Sequence, residues 1–379
     1  MKPILLASLL FLAASASAQN RFVYVNDQSP TNTVTGFSIA ANGSLTPLSA
    51  SPFLTSGSGG GTAEDPEGLA LVPLARATIL YATNDGDGSI SAFTLNPQTG
   101  ALELSGAPFL LPDTSGDYSI TASPDHRFLF ATNRANTLIH VLSIAPNSGQ
   151  LAEVPGSPFA ANANLNGLAV TPQHFLVAGE WNNDALQVYS ISNTGSLSPV
   201  AGSPFPVHST NEAVEANCQG NRIFATGYDS TTSSAPIDVD SMQPNGTLTP
   251  VPGSPFSNGT QGTSLDLLLS PRDNFLFSEN SFGGPIPVLA VAPNGSLSPV
   301  AGSPFSTNGS WVGGLAVTAA GDYLYSVDFG AGTVYGMKVA PNGSLTPVPG
   351  TPFTIGYNGG NSSSPMAIIS YPAPACRTH

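Results

Sequence analysis

The sequence predicts an all-β, seven-bladed β-propeller with four-stranded blades. Three observations lead to this prediction: one phrase recurs seven times, each repeat holds four strand-like segments, and the two chain ends supply complementary parts of one blade. A period near 50 residues made of short strands is the size of one propeller blade. We therefore expect one domain rather than the two or three that the length alone suggests.

The repeated phrase runs from a glycine to a phenylalanine, as in GSLTPLSASPF. Its closing phenylalanines lie 56, 50, 46, 51, 49 and 48 residues apart. The seven copies are Gly43–Phe53, Gly100–Phe109, Gly149–Phe159, Gly195–Phe205, Gly246–Phe256, Gly295–Phe305 and Gly343–Phe353.

Four short segments in each period are rich in β-branched and aromatic residues, and none shows a sustained helical period. In the third blade we predict strands A to D at Ser119–Ser123, Phe128–Thr132, Leu138–Ile144 and Leu151–Val154. Asn-Gly usually joins C to D, and it tolerates the positive φ angles of a tight hairpin turn.

The two ends of the chain predict how the ring closes. The mature chain begins with a B-type strand at Phe22–Val25, and a solitary A-type strand, Met366–Ser370, comes last. We expect that C-terminal strand to complete the first blade in a 3+1 closure, because an open ring would leave backbone groups unpaired at its edge.

The N-terminus predicts export. Lys2, an apolar run from Ile4 to Ala14 and small residues up to Ala18 are typical of a signal peptide over residues 1–18. We expect residues 19–379 to form a single propeller domain, secreted or periplasmic, without membrane insertion and monomeric. The net charge of −14 argues against nucleic-acid partners.

Strand B often ends in a Tyr-x-x-Asn-like phrase, as at Tyr81–Asn84, Phe130–Asn133 and Tyr325–Asp328. Together with the Gly-x-Leu…Gly-Ser-Pro-Phe repeat, this resembles the YVTN-type propellers of the lactonase-like superfamily, over the whole mature chain. The resemblance implies the seven-bladed fold, and it makes lactone hydrolysis an activity to consider.

The family's catalytic pattern is not matched. Catalytic lactonases of this type carry His-x-His before a Ser-Pro-Asp-Gly-Arg phrase and an Asp-Arg pair after it. Counting from Ser123–Arg127 places those four positions on Gly116, Tyr118, Thr137 and Leu138. The family's chemistry therefore does not transfer to these residues.

We expect a functional site on the face that carries the D-to-A and B-to-C links, which we call the open face, because loops on a rigid scaffold usually carry function. The A-to-B and C-to-D turns form the opposite, turn face. Polar residues at strand ends mark the open face as ligand-binding candidates, although Asn and Asp also cap strand ends. The candidates are Asp27, Glu67, Asn84, Asn133, Arg134, Asn166, Asp266, Asn280 and Asp328.

The sharpest chemical candidates are His208, Glu212 and Glu180. His208 is the one histidine that we place on the open face, and beside a carboxylate it is able to act as a general base. Catalysis then requires His208 within hydrogen-bond reach of Glu212 or Glu180. Open-face aromatics, among them Trp181, Trp311 and Tyr357, are candidates for stacking on sugar rings or for core packing.

No cofactor is expected, apart from a divalent cation such as calcium. Asn84–Ser89 (NDGDGS) contains alternating Asp residues like those of a calcium loop, but the full 12-residue pattern with its closing Glu is absent, and a Gly-rich turn between strands B and C is the preferred explanation. Cys218 and Cys376 are the two cysteines, and we hypothesise that they form a disulfide that fastens the C-terminal strand on the turn face.

The leading functional hypothesis is an exported, non-catalytic propeller that binds a small neutral ligand, a carbohydrate or an envelope protein. The alternative is a lactonase-like hydrolase acting on a neutral sugar lactone, with His208 and Glu212 as its acid–base pair. Arg134 is the only basic residue that we place on the open face, which argues against a phosphorylated substrate. A third hypothesis is a structural repeat protein without a small-molecule site.

Overall fold

The computed structural model describes residues 20–60, 67–112, 116–281, 283–309, 311–355 and 367–374. Throughout these ranges the regular structure is β-strand. They contain no helix that is long and apolar enough to cross a bilayer. The predicted signal peptide, Tyr357 and Cys376 lie outside the described residues.

The strands form seven antiparallel blades, as predicted, and each blade follows the order A-B-C-D. The A strands, from blade 1 to blade 7, are Ile368–Tyr371, Leu69–Pro73, Tyr118–Ala122, Leu165–Val170, Thr210–Ala216, Leu267–Leu269 and Val312–Val317. The B strands are Phe22–Asn26, Thr78–Asn84, Phe128–Asn133, Phe175–Glu180, Arg222–Tyr228, Phe275–Ser278 and Tyr323–Asp328. The C strands are Thr33–Ile39, Ser89–Leu95, Leu138–Ile144, Ala185–Ile191, Ser234–Met242, Val288–Val291 and Thr333–Val339.

Strand D differs from the prediction because it consists of two short pieces that pair with different parts of strand C. The first pieces are Leu45–Pro47, Leu102–Leu104, Leu151–Glu153, Leu197–Pro199, Leu248–Pro250, Leu297–Pro299 and Leu345–Pro347. The second pieces are Phe53–Leu54, Phe109–Leu110, Phe159–Ala160, Phe205–Pro206, Phe256–Gln261, Phe305–Ser306 and Phe353–Thr354. In blade 6 the second piece pairs with Pro285–Ile286, just before strand C.

The Ser-Pro part of the repeat explains this break. Between the two D pieces the chain leaves the ladder, and a C-strand N–H would lose its acceptor. The hydroxyl before the proline replaces that acceptor in six blades, always at 2.9 Å. The pairs are Gly36–Ser51, Val141–Ser157, Val188–Ser203, Val239–Ser254, Val288–Ser303 and Gly336–Thr351.

The glycine that opens the repeat joins neighbouring blades. At each of the seven positions φ is positive, and a Cβ atom would lie within 3.0 Å of a side chain near the start of strand B in the preceding blade. The pairs are Gly43–Tyr323, Gly100–Phe22, Gly149–Ile79, Gly195–Phe128, Gly246–Phe175, Gly295–Arg222 and Gly343–Phe275. Glycine is therefore needed both for its backbone conformation and for the close approach.

Tyrosines add a second contact between blades close to the point of closure. Tyr325 of blade 7, Tyr24 of blade 1 and Tyr81 of blade 2 are buried. Each hydroxyl donates to the carbonyl of the repeat glycine in the next blade, at 2.8, 2.7 and 2.6 Å respectively. The tyrosine and glycine motifs of the sequence are thus two halves of one contact.

The C-terminal strand lies in the first blade. Ile368–Tyr371 pairs antiparallel with Phe22–Asn26, in the register Phe22↔Tyr371 to Val25↔Ile368. Ser370 also donates its hydroxyl to the Val317 carbonyl of blade 7, at 2.7 Å. This is the pairing that the 3+1 closure requires.

We predict that Gly246→Ala destabilises the protein more than Gly106→Ala. Both glycines have positive φ, which costs alanine about 1–2 kcal/mol. Only the Gly246 Cβ meets a neighbour, Phe175 at 2.6 Å, which adds about 1–3 kcal/mol of overpacking. Urea denaturation measures both variants, and equal losses of stability would contradict the contact between blades.

Candidate functional site

The polar residues at the ends of the B strands mainly hold their own B-to-C turns. Asp27 accepts the Thr35 hydroxyl at 2.9 Å, and Asn84 donates to Ser91 at 2.8 Å. Asn133 and Asp328 each accept a turn N–H, from Ala135 at 2.8 Å and from Ala331 at 3.0 Å. Asn280 donates to the Gln261 carbonyl of the preceding link. These bonds give the residues a role in shaping the rim of the open face.

His208 and Glu180 have partners other than those expected from the sequence. The His208 ring nitrogen Nδ1 lies 2.6 Å from Asp238 Oδ1, and the His208 backbone N–H donates to Asp238 Oδ2 at 3.0 Å. Glu180 accepts from Asn183 and Gln187, both at 2.8 Å. The acid–base pair of His208 with Glu212 or Glu180 is therefore replaced by a His208–Asp238 pair.

The sequence analysis did not identify Asp238, because it lies within strand C of blade 5. The repeat pattern predicts that side chains of this strand pack in the core. It is 3% exposed, and burial raises its pKa, although the bonds from His208 act in the opposite direction. Asp240, two residues further on the same side of the strand, is also buried, and its pKa is raised to about 7. Two aspartates in an otherwise apolar strand were the available sequence signal.

Glu212 is the candidate that the structure brings together with other functional groups. Its Oε2 accepts the Asn166 side-chain amide at 2.9 Å, and its Oε1 accepts Trp181 Nε1 at 3.2 Å. The Ser119 hydroxyl donates to Asn166 Oδ1 at 2.9 Å. Blades 3, 4 and 5 therefore share one buried hydrogen-bonded chain at the open-face end of their A strands.

Bulges in two adjacent A strands create this arrangement. The register shifts between Asn166 and Leu168 in blade 4, and between Asn211 and Ala213 in blade 5. Gly167 forms the first bulge with φ of +66°, and a Cβ atom there would lie 2.9 Å from Ala213 Cα. A bulge re-aims side chains, and here it turns Asn166 and Glu212 toward one another.

Arg134 supplies the positive charge of the cluster. Its guanidinium bonds Asp117 at 2.9 Å, lies 4.0 Å from Glu212 and sits 4.6 Å above the centre of the Trp181 ring. Only 11% of the Arg134 and Glu212 side chains is exposed. Asp117 was not among the sequence candidates, because it lies in the D-to-A link before Tyr118–Ala122, where the sequence does not follow the repeat. We call Ser119, Arg134, Asn166, Trp181 and Glu212, with Asp117, the Glu212 cluster.

A central cavity of about 220 Å³ lies between the A strands of all seven blades. Glu67 and Asp266 lie at its open-face end, and each carboxylate accepts an A-strand N–H from another blade. The Glu67 bond reaches Leu168 at 2.8 Å, and the Asp266 bond reaches Leu315 at 2.6 Å. Ala373 and Pro374, after the closing strand, border the same cavity.

Two further glutamates near the cavity were not predicted. Glu215 lines the wall, and burial together with Asp266 and Asp273 raises its pKa to about 8. Glu279 is fully buried and accepts the backbone N–H groups of Leu265 and Asp266. Burial raises the pKa of Glu279 well above its usual value.

The Asn84–Ser89 segment forms a hydrogen-bonded turn, and calcium binding there stays a prediction. The two carboxylate oxygens of Asp87 already accept from the Ser58 N–H at 2.9 Å and the Ser89 hydroxyl at 2.6 Å. Among the described residues, no group of three or more His, Cys, Asp or Glu side chains is arranged to hold a metal ion. Cys218 lies after strand A of blade 5 and is disulfide-bonded. Because Cys376 lies outside the described residues, the pairing of these two cysteines stays a prediction.

Comparison with known proteins agrees with the predicted resemblance. Residues 69–214 match the family model "Lactonase, 7-bladed beta-propeller", a segment shorter than half of the chain that contains the whole Glu212 cluster. No curated protein matches the sequence.

Several solved structures share the fold. A Pseudomonas aeruginosa periplasmic gluconolactonase is 17% identical with a TM-score of 0.69, and the match covers 94% of this chain and 99% of the other. A Bacteroides fragilis protein provisionally named a 6-phosphogluconolactonase is 16% identical over 94% and 99%, with a TM-score of 0.71. A Lactobacillus plantarum protein is 16% identical over 93% and 99%, also with a TM-score of 0.71. At these identities the likeness shows a lactonase-like propeller fold.

We predict that stability falls as pH rises from about 4.5 to 8, and that Glu215→Gln weakens this dependence. The folded protein holds a proton on Glu215 up to a pKa of about 8, whereas an exposed Glu loses it near 4.5, so rising pH favours the unfolded state. Asp27 and Asp240, both with a pKa of about 7, act in the same direction and leave a residual slope. Urea midpoints at pH 5 and 8.5 measure the effect.

The exposed Glu103→Gln is the matched control for this measurement. It should keep the pH dependence of the unaltered protein. If Glu215→Gln shows the same slope as Glu103→Gln, the buried proton is not on Glu215.

Proposed function

We propose that this protein is a lactonase-like hydrolase that acts on a neutral lactone, such as an unphosphorylated sugar lactone. The observation that carries the proposal is the Glu212 cluster: a carboxylate oriented by two side-chain donors, with a guanidinium 4.0 Å away. The cluster lies at the open-face end of the A strands of blades 3, 4 and 5, inside the segment that matches the lactonase family.

Each group in the cluster has a role in lactone hydrolysis. Glu212 takes a proton from a water molecule as the water oxygen attacks the lactone carbonyl carbon. An N–H of the Arg134 guanidinium donates a hydrogen bond to the oxyanion that develops on the carbonyl oxygen. The ester C–O bond then breaks, Glu212 gives the proton to the ring oxygen as it leaves, and the product is the open-chain hydroxy acid.

Asn166 and Trp181 act as positioning residues for Glu212. Ser119 donates to the oxygen of the Asn166 amide, so that its NH₂ group faces the Glu212 carboxylate. Trp181 holds the second carboxylate oxygen. The two donors fix the orientation of the Glu212 carboxylate, which is the preorganisation that proton transfer needs.

This chemistry is independent of the family's histidine pattern. It also replaces the acid–base pair of His208 and Glu212 expected from the sequence, because His208 is bonded to Asp238. Tyr118, at one of the histidine positions, is 1% exposed and packs in the apolar core between blades 2 and 3. The substrate is neutral because Arg134 is already compensated by Asp117 and Glu212, and no net positive charge remains for a phosphate. Export to the periplasm or beyond is part of the proposal and follows from the N-terminal segment.

Glu212→Gln should lower kcat for glucono-δ-lactone by at least 100-fold, because an amide cannot accept the proton from water. The assay measures acid release at constant pH, corrected for spontaneous hydrolysis with heat-denatured protein. Glu103→Gln is the control and should keep full activity, since Glu103 lies exposed on the outer strand of blade 2.

Equal activity of Glu212→Gln and the control would refute the role of Glu212. Absence of hydrolysis for every neutral lactone tested would instead favour a ligand-binding propeller. A higher kcat/KM for 6-phosphogluconolactone than for glucono-δ-lactone would contradict the choice of a neutral substrate.

A further inference from the structure

We propose that a pocket on the turn face, between blades 5 and 6, binds an acidic sugar through its carboxylate. The pocket has a volume of about 350 Å³. It is lined by the A-to-B turns of both blades and by the end of strand C in blade 6. The Glu212 cluster lies on the opposite face, so this site is independent of the proposed hydrolase function.

Arg222, which lines this pocket, departs from the repeat. It occupies the position near the start of strand B that packs against the repeat glycine of the next blade, where a Cβ atom on Gly295 would lie 2.9 Å from Arg222 Nε. The other six blades carry an aromatic or aliphatic residue at this position: Phe22, Ile79, Phe128, Phe175, Phe275 and Tyr323. Real proteins break their own packing rules mainly at functional sites.

The Arg222 guanidinium has few partners. Its Nη1 donates to the Asn221 carbonyl oxygen at 2.8 Å, the one hydrogen bond that the group makes to the described residues. Nε is buried and has no partner among them. A guanidinium has five N–H donors in a planar fork that matches a carboxylate, so the two Nη groups keep donors for a ligand.

Two side-chain amides of the same turn also offer donors to the pocket. Asn217 Oδ1 accepts the backbone N–H groups of Asn221 and Arg222, both at 2.9 Å, and this fixes the orientation of the Asn217 amide. Asn217 Nδ2 then donates to Asn221 Oδ1 at 3.0 Å and to Gln219 Oε1 at 3.3 Å. The amide oxygens of Gln219 and Asn221 are therefore engaged, and their NH₂ groups have no partner within the described part of the chain.

Blade 6 contributes an amide with the same polarity. The Ser270 hydroxyl accepts the Phe275 N–H at 3.0 Å, so its own proton is directed to Asn274 Oδ1, at 2.9 Å. Asn274 lines the pocket, and its NH₂ group has no partner in the described ranges. The three amides that border the pocket from two blades thus all keep N–H donors.

The charges in the pocket also favour an anion. Arg222 and Arg272 line it from the two blades, and Asp273 is the one acidic residue in its lining. One oxygen of Asp273, Oδ2, accepts the backbone N–H of Cys218 at 2.9 Å. Two guanidinium groups against one carboxylate leave a local excess of positive charge in a protein whose net charge is −14. Donors together with positive charge select an oxyanion.

The size and the remaining lining favour a sugar acid over an inorganic anion. Small-molecule sites have volumes of about 300–1,000 Å³ and combine apolar surface with a few placed polar groups. Val291, Ala292 and Pro293 supply an apolar side on which the C–H face of a sugar ring is able to pack. The amide NH₂ groups then serve the hydroxyl oxygens, and the guanidinium groups serve the carboxylate.

The test is isothermal titration calorimetry of the mature protein at pH 7 and low ionic strength with sodium D-glucuronate, D-glucose and sodium phosphate. Glucuronate should bind with a Kd on the order of 1 mM, the affinity expected for a ligand of this size. Glucose lacks the carboxylate and phosphate lacks the sugar ring, so each should bind at least about tenfold more weakly.

Arg222→Phe removes the guanidinium and introduces the aromatic side chain that most blades carry at this position, so the packing on Gly295 is kept. Loss of the charge-assisted hydrogen bonds should raise the Kd for glucuronate by about 10- to 100-fold. Arg76→Gln is the matched control, because Arg76 is exposed on the A-to-B turn of blade 2 and carries the same charge. It should leave the Kd unchanged.

Asn274→Asp is a second variant that does not depend on packing between blades, because Asn274 is exposed. It keeps the oxygen that accepts from Ser270 and replaces the NH₂ donor by a carboxylate oxygen. It should weaken glucuronate binding by at least about tenfold.

Three outcomes would overturn the proposal: no binding of glucuronate, glucose or phosphate bound as tightly as glucuronate, and equal affinities of Arg222→Phe and Arg76→Gln for glucuronate. If Arg222→Phe fails to fold, Asn274→Asp decides in its place. A Kd for Asn274→Asp equal to that of the unaltered protein would then show that glucuronate does not occupy this pocket.

Discussion

The ring depends on one repeated contact between neighbouring blades. In each blade a glycine lies very close to a strand B side chain of the preceding blade. At all seven positions the glycine has positive φ, and a Cβ atom would collide with that side chain. The contact sets the spacing between blades seven times in succession, so each blade is turned relative to its neighbour by a similar amount. Seven such steps bring Phe22–Asn26 beside Ile368–Tyr371, and their pairing removes the open edge.

The same geometry creates the cavity and places the site. When the blades are held at this spacing, their A strands converge but do not fill the centre, and a cavity with both aliphatic and carboxyl side chains in its wall remains. A-strand N–H groups beside the cavity need acceptors, and Glu67 and Asp266 supply them. The carboxylates at the mouth thus stabilise the inner strands. Glu212 differs from these two carboxylates, because its two oxygens accept from the side chains of Asn166 and Trp181.

The candidate site was predicted in part. Arg134, Asn166 and Glu212 were each identified as open-face residues, because they follow or begin strands whose order the repeat makes clear. Their grouping was not predictable, since the bulges at Asn166 and Asn211 depend on how the inner strands of blades 4 and 5 fit together. His208 was also identified from the sequence, but its partner was not. Asp238 lies 30 residues away, in a strand whose side chains the pattern assigns to core packing.

The sequence by itself determined the number of blades, their four-strand order and the shared first blade, because these follow from a periodic pattern and from short-range turn chemistry. The second piece of strand D escaped it, because the recurring Ser-Pro phrase does not show by itself that its hydroxyl accepts a strand C N–H. Only the tertiary structure decided which acidic side chains meet. Glu67 reaches Leu168 across 101 residues by passing an entire blade, and such a contact is set by the curvature of the ring rather than by any local preference.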